Sequence, residues 1–448
     1  MNAHEILDFR RIARNTGFLY LRHFVLCAGD LYATRLVLGA LRTDGFGLLA
    51  AVGAVTAMLV FLGGVLGSTA QRFLSAEIGK GDRGNLSAAF ASVCGIALLL
   101  GAAIVLVGET AGLWFVNCRL SIPVEMRHAA VVVYQIGILH MVLETVSCPF
   151  LSLVNATERM GFFAWFAFVQ AGLSIVAAAV LCAIPSHRLE VWAAMQLGMS
   201  VIVLVASAIQ CRRLCPNVSW SVTLRPKAMR EPGAYFGWSI LHAVANILKS
   251  EGVGVLVNVY SGVVSSASWR LGHVAGSYIG GIYGCFRTAV FPQVVKLWAA
   301  RDLALFRSLV LGSARWSFAL TLPVGVPLLV VTDSLLRLWL GMEPPAGAVA
   351  FVRCFAVHYL LDSIVEPLHS AALAAGKIAT YEIGQAVTIG SGFVLAGVVL
   401  ALGFSPWAAV ACVAFATGLN LVWHVVYLNR RLGFGFCEML RLRATPAS

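Results

Sequence analysis

Charged side chains are scarce in this chain of 448 residues: Asp, Glu, Lys and Arg together make up 12%, whereas hydrophobic residues make up 60%. A water-soluble domain cannot hide so much apolar surface, so the composition excludes one and predicts a polytopic helical membrane protein. The apolar stretches are long and continuous, which excludes the short alternating segments of a transmembrane β-barrel.

Several catalytic signatures are also missing. No GxxxxGK[ST] loop is present, so the chain is not expected to hydrolyse nucleotide itself. The eleven cysteines lie mainly in apolar runs and show no metal-ligand spacing, which indicates small apolar filler. No Ser/His/Asp arrangement has a suitable placement, and no polar loop is long enough for the paired carboxylates of a membrane glycosyltransferase or ligase. We therefore predict a protein that is not an enzyme and has neither cofactor nor metal.

The positive charges lie mostly in short gaps between the apolar runs. The net charge is +12, but no basic stretch alternates with aromatic residues, so nucleic acid is not an expected partner. Lys and Arg instead crowd every second gap, which is the positive-inside pattern and predicts that both termini are cytoplasmic. Each apolar run is long enough to cross about 30 Å of hydrocarbon. The twelve predicted spans are 14–37, 45–68, 86–108, 128–152, 161–184, 190–210, 234–258, 266–291, 308–331, 348–372, 379–402 and 407–428.

One segment of the chain occurs twice. HMVLETVSCPFLSLVNATER begins at His140, and HYLLDSIVEPLHSAALAAGK begins 218 positions later at His358, with Pro149 aligned to Pro367. Six spans per repeat is an even number, so the repeats are predicted to be parallel, as in rocking, alternating-access transporters. The predicted organisation is a six-helix lobe at 1–210, a basic cytoplasmic linker at 211–233, a second six-helix lobe at 234–428 and a basic cytoplasmic tail at 429–448.

Residues 45–82, the segments ending in NATERM and AAGKIA, and the FPQVVKLW segment resemble bacterial polysaccharide exporters. These flip lipid-linked O-antigen and capsule units, in the superfamily that also holds multidrug exporters and the peptidoglycan-precursor flippase. The resemblance implies a V-shaped fold of twelve helices, in which spans one, two, seven and eight line a cavity. It also implies an undecaprenyl-diphosphate-linked oligosaccharide as cargo, flipped across the bacterial inner membrane. A cation-coupled multidrug exporter is the alternative on the same fold.

The resemblance also suggests partners. Besides the lipid-linked oligosaccharide and membrane lipids, these are a polysaccharide polymerase and assembly proteins. The transport unit itself is expected to be a monomer. The sugar and the coupling ion are left open.

Ionisable groups inside a membrane are costly, so each is a functional candidate. Four cations on three of the cavity-lining spans are predicted to bind the cargo's diphosphate: Arg22, Lys249, Arg270 and Arg287. Arginine suits a diphosphate because its guanidinium binds two oxygens at once. The alternative is that these cations pair with carboxylates and hold the helices together.

A second set of intramembrane groups is predicted to couple transport to an ion: Asp30, Glu251, His358, Asp362, Glu366 and His369. His358 and Asp362 are four residues apart and so share one helical face, which Glu366 and His369 extend. The alternative for the duplicated His–carboxylate pair is a buried hydrogen bond ahead of a proline kink. Glu366 and His369 occur in only one repeat and are the better coupling candidates.

Overall fold

The computed structural model describes residues 9–80, 83–157, 160–216, 218, 243–375 and 378–434, and nearly all of them are helical. The twelve α-helices within these residues are α1 Phe9–Lys80, α2 Arg83–Val107, α3 Leu113–Cys118, α4 Arg127–Ala156, α5 Met160–Ala183, α6 Arg188–Leu214, α7 Val253–Ala299, α8 Leu303–Val330, α9 Thr332–Leu340, α10 Ala348–Ala374, α11 Ile378–Ala401 and α12 Ala408–Leu432. A π-helical segment, Gly108–Gly112, joins α2 to α3, and another, Leu248–Gly252, leads into α7.

Helices α1 and α7 are each broken by one sharp kink. In α1 the kink is at Arg42, with φ 58° and ψ −179°, and in α7 it is at Gly262, with φ 77° and ψ −172°. The two kinks have nearly the same backbone conformation and lie almost one repeat apart. Each falls between two predicted spans, so the chain turns back at a single residue where the sequence predicted a short loop.

Ten helical stretches within the described residues are long and apolar enough to cross a membrane. Two of them, His23–Leu59 and Ala243–Thr288, contain the kinks. As straight helices they would measure about 55 and 70 Å, roughly twice the hydrocarbon thickness. Each therefore makes two passes, and the predicted twelve-span, all-helical fold is confirmed, although residues 234–242 of the seventh span lie outside the described part.

The chain forms two compact units. One combines Met1–Leu31 with Ala267–Ser448, and the other is Tyr32–Ser266. We call them the C-unit and the N-unit. The boundaries fall inside α1 and α7, so the first pass of α1 belongs largely to the C-unit and the first pass of α7 to the N-unit. The predicted lobes divided at 211–233 stay a prediction, since most of that segment lies outside the described residues.

The two helices that carry the repeated segment have equivalent neighbours. In the N-unit, α4 packs against α2 and α6, and in the C-unit, α10 packs against α8 and α12. These are the third and sixth spans of one repeat and the ninth and twelfth of the other. Each unit is held by apolar clusters around the repeated helix, with Tyr134 on α4 and Leu368 on α10 almost fully buried. Packing thus supports the duplication that the sequence predicted.

Candidate functional site

The first polar cluster of the C-unit joins the start of α1 to α7. The Tyr278 hydroxyl donates a hydrogen bond to Asp30 at 3.1 Å, and His23 Nε2 donates to the Tyr278 carbonyl at 3.2 Å. These two bonds join residues that are 248 and 255 positions apart in the sequence. Asp30 is exposed, so its carboxylate remains accessible while Tyr278 fixes its position.

The second cluster joins α7 to α10 as a ladder of two polar pairs. The Tyr283 hydroxyl donates to Asp362 at 2.7 Å, and Arg287 forms an ion pair with Glu366 at 2.8 Å. Both pairs are separated by 79 residues and lie four residues apart on each helix, so the helices run in the same direction here. Arg287 is therefore neutralised by Glu366, which supports the pairing alternative for this cation.

The third cluster is buried among α10, α11 and α12. Tyr381 bridges His369 Nδ1 at 2.5 Å and His424 Nε2 at 2.6 Å, and His424 Nδ1 lies 2.7 Å from the Asn420 carbonyl. A carbonyl only accepts, so neutral His424 carries its proton on Nδ1 and accepts the Tyr381 proton at Nε2. His369 Nδ1 also lies 3.4 Å from the Gln385 Nε2 donor. The bonds to Tyr381 and Asn420 thus fix the tautomer of neutral His424.

The remaining predicted residues lie in different surroundings. His358 is buried and bonds to Thr417 on α12 at 2.7 Å. Lys249 and Glu251 are half-buried in the π-helical segment of the N-unit. Arg270 is exposed on α7. Arg22 lies in α1, but its side chain is outside those that the structure describes.

Across the described residues, no group of three or more His, Cys, Asp or Glu could hold a metal ion.

In the N-unit, α1 and α4 correspond to α7 and α10 but carry different residues at the ladder positions. By the repeat, Gly64 stands where the C-unit has Tyr283, and Cys148 stands where it has Glu366. His140 Nε2 lies 3.7 Å from Glu144, so the predicted i,i+4 contact is present. Where the ladder is missing, a pocket of about 310 Å³ opens, and Glu144 lines it.

Two hydrogen bonds, both with donors on α4, join α4 to the second pass of α1. Cys148 Sγ donates to the Gly63 carbonyl at 3.5 Å, and Ser152 Oγ donates to the Gly67 carbonyl at 3.2 Å. Gly63 and Gly67 therefore place the α1 backbone directly against α4.

Sequence analysis missed four residues of these clusters: Tyr278, Tyr283, Tyr381 and His424. It searched for charged groups, whereas three of the four are tyrosines whose hydroxyls position the charged ones. Tyr283 could have been found from its spacing, because it lies one turn before Arg287 on a helix chosen for its charge. His424 is an intramembrane histidine and should have been a candidate by the same rule as the others.

The fold defines a multi-pass helical membrane protein. No known family profile matches the chain, and no curated protein sequence matches it. Solved structures do match. The MATE multidrug transporter DinF-BH, solved with a ligand bound, has a TM-score of 0.71 and 13% identity over 95% of this chain and 96% of that one.

Two further matches are an inward-facing MATE family multidrug resistance transporter of the MOP superfamily and the lipid II flippase MurJ. The first has a TM-score of 0.70 and 13% identity, with 94% of this chain and 96% of the other covered. MurJ has a TM-score of 0.64 and 14% identity, with 94% and 90% covered. At these identities the likeness establishes the fold, which is common to drug exporters and a lipid flippase.

Proposed function

We propose that this protein is a secondary transporter that flips an undecaprenyl-diphosphate-linked oligosaccharide across the bacterial inner membrane for surface polysaccharide synthesis. Both termini are cytoplasmic in this proposal, and the cargo moves from the cytoplasmic to the periplasmic leaflet. The observation that carries the proposal is that the Arg270 guanidinium is exposed and bonds to no carboxylate or carbonyl among the described residues.

Arg270 is an exposed guanidinium on a membrane-spanning helix. Among the described residues, no carboxylate or carbonyl bonds to it, whereas Arg287 on the same helix is held by Glu366. An arginine without a protein partner is costly at membrane depth and is expected to meet an anion. A diphosphate supplies paired oxygens that a guanidinium binds bidentately. Lys249 and Arg22 are the further cations that we assign to this role, and Arg287 joins them when Glu366 releases it.

The ladder between α7 and α10 suggests how an ion could control that release. Protonation of Glu366 removes the negative charge that holds Arg287, and protonation of Asp362 changes its bond with Tyr283. Protonation of Glu366 would thus convert Arg287 from a paired cation into a free one, whereas protonation of Asp362 would change only the bond with the Tyr283 hydroxyl. We therefore place coupling at Asp362 and Glu366, with His358, His369, Asp30 and Glu251 as the other titratable groups of the proposal.

The test replaces Arg270 by Gln and by Lys in a strain that depends on this protein for surface polysaccharide. Arg270→Gln is expected to remain inserted and folded, to abolish surface polysaccharide and to accumulate lipid-linked units on the cytoplasmic face. Arg270→Lys should restore part of the transport, since it returns the charge without the bidentate geometry. Arg430→Gln is the matched control, because it removes an exposed arginine from the last turn of α12, beyond the predicted span 407–428. Full transport by a stable Arg270→Gln variant contradicts the proposal.

Multidrug export is a second candidate, favoured by the exposed carboxylate of Asp30 and by the likeness to MATE multidrug transporters. A cationic drug would bind Asp30 rather than Arg270. Cells that export a cationic dye such as ethidium through the protein, and lose that export in Asp30→Asn but not in Arg270→Gln, would establish drug export instead. The flippase proposal expects no dye export from either the unmodified protein or the variants.

A further inference from the structure

A long apolar groove runs between α10 and α12 in the C-unit. It encloses about 650 Å³, and its walls are almost wholly apolar apart from one arginine. On α12 the groove extends from Ala411 to Val422, a rise of about 16 Å. That length matches half of the ~30 Å hydrocarbon core, which is one leaflet. The lining side chains include Val357, Leu361, Phe415 and Leu419.

Arg353 is the cation at one end of the groove. It lies five residues into α10, near the end at which α12 also begins, and the exposed Trp407 precedes α12 at that end. Tryptophan is enriched at the membrane–water interface, so this end of the groove lies at headgroup depth. By the predicted topology it faces the periplasmic leaflet.

The Arg353 guanidinium is positioned but not neutralised. Its Nε donates to Thr332 Oγ1 at 3.1 Å, and among the described residues no carboxylate pairs with it. The nearby Asp333 is already paired with Arg337 at 2.9 Å. The terminal nitrogens of Arg353 therefore remain as donors for an anion, while Thr332 limits the rotation of the side chain.

We propose that this groove binds an anionic phospholipid, with the lipid phosphate on Arg353 and one acyl chain between α10 and α12. Arg353 and the apolar groove together match the two parts of such a lipid: a charged headgroup at the interface and an acyl chain one leaflet long. An uncharged or zwitterionic lipid would fill the groove but gain less from Arg353. The groove lining contains none of the residues that we assign to cargo binding or ion coupling.

Substitution of Gly418 can block the groove without disturbing α12. It lines the groove, and a Cβ added there would meet no atom within 4 Å. Gly418→Leu should therefore fold and place its side chain where the acyl chain lies. Gly390→Leu on α11 is the matched control, since that glycine is equally open but lies outside the groove.

The experiment measures lipids retained by the purified full-length protein, using native mass spectrometry after exchange into mixed phosphatidylglycerol and phosphatidylcholine. The unmodified protein should retain phosphatidylglycerol in preference. Arg353→Gln should weaken that retention about tenfold, the effect of losing one charge-assisted contact, and Arg353→Lys should weaken it less. Gly418→Leu should lose both lipids, and Gly390→Leu should behave as the unmodified protein.

Three results would overturn the proposal. The first is equal retention of the two lipids by the unmodified protein. The second is unchanged phosphatidylglycerol binding in both Arg353→Gln and Gly418→Leu, with monodisperse elution showing that both are folded. The third is displacement of phosphatidylglycerol by undecaprenyl phosphate at equal concentration, which would assign the groove to the polyprenyl tail of a cargo instead.

Discussion

Replacing Gly47 by Ala is expected to destabilise the N-unit strongly, because Gly47 lies directly against the backbone of the α7 kink. A Cβ at this position would lie 1.9 Å from the Val263 carbonyl oxygen and 2.7 Å from its carbon. An ordinary contact of this kind is about 3.3–3.6 Å. One backbone would have to move by about 1.4 Å, and a carbonyl cannot rotate away as a side chain can. Overpacking costs about 1–3 kcal/mol, and we expect a cost near the upper end, about 3 kcal/mol.

Gly53→Ala, two turns further along α1, is the matched control. A Cβ there would meet nothing within 4 Å, and Ala is favoured over Gly within a helix by about 0.5–1 kcal/mol. The two variants should therefore differ by about 3.5–4 kcal/mol, with opposite signs relative to the unmodified protein. Thermal unfolding in detergent, followed by loss of the monodisperse elution peak, measures the difference. Equal midpoints for the two variants would show that α1 and α7 do not approach this closely.

Three further predictions concern the kinks and the polar clusters. Arg42→Gly should stabilise the protein by roughly 1 kcal/mol. The φ of 58° with an extended ψ is almost confined to glycine and costs arginine about 1–3 kcal/mol, and the backbone entropy that glycine loses on folding offsets part of this gain. Gly262→Ala should have the opposite effect on the unfolding midpoint. A double-mutant cycle with Arg287→Gln and Glu366→Gln should give a coupling energy of about 1 kcal/mol. The value is small because the two side chains are 44% and 24% exposed, so that solvent screens the pair. A coupling energy of zero would remove the ion pair from the proposed mechanism. Tyr381→Phe should cost about 1–3 kcal/mol in unfolding experiments, because it strands the ring nitrogens of two buried histidines; an unchanged midpoint would contradict the bridging geometry.

The sequence predicted the number of spans because hydrophobic length is set by membrane thickness, and that constraint acts on each segment separately. It missed that α1 and α7 continue as helices through their turns. A loop was expected where Arg42 lies, since arginine gives no signal for a positive φ. At Gly262 the residue type is suited to the conformation, but one glycine among 43 does not mark a turn.

The polar clusters were predictable only in part. Asp362, Glu366 and His369 stood out because a titratable group in an apolar run is conspicuous. Tyr283 did not stand out, and neither did the pairing of Arg287 with Glu366, because these partners lie 79 residues away and meet only through the packing of α7 against α10. The i,i+4 contact of His140 with Glu144 was predictable, since helix geometry alone brings it about. Whether these groups bind cargo or couple an ion stays a prediction.

The contact of α1 with α4 and its counterpart, the contact of α7 with α10, are held in different ways. In the C-unit, directional bonds from Tyr283 and Arg287 oppose any sliding of α7 along α10. In the N-unit, α1 contacts α4 through glycine backbone beside a void at Glu144, and the bonds there come from Cys148 and Ser152. We therefore expect α1 to slide along α4 more readily than α7 along α10, because position 64 is a glycine and position 148 a cysteine where the C-unit has Tyr283 and Glu366.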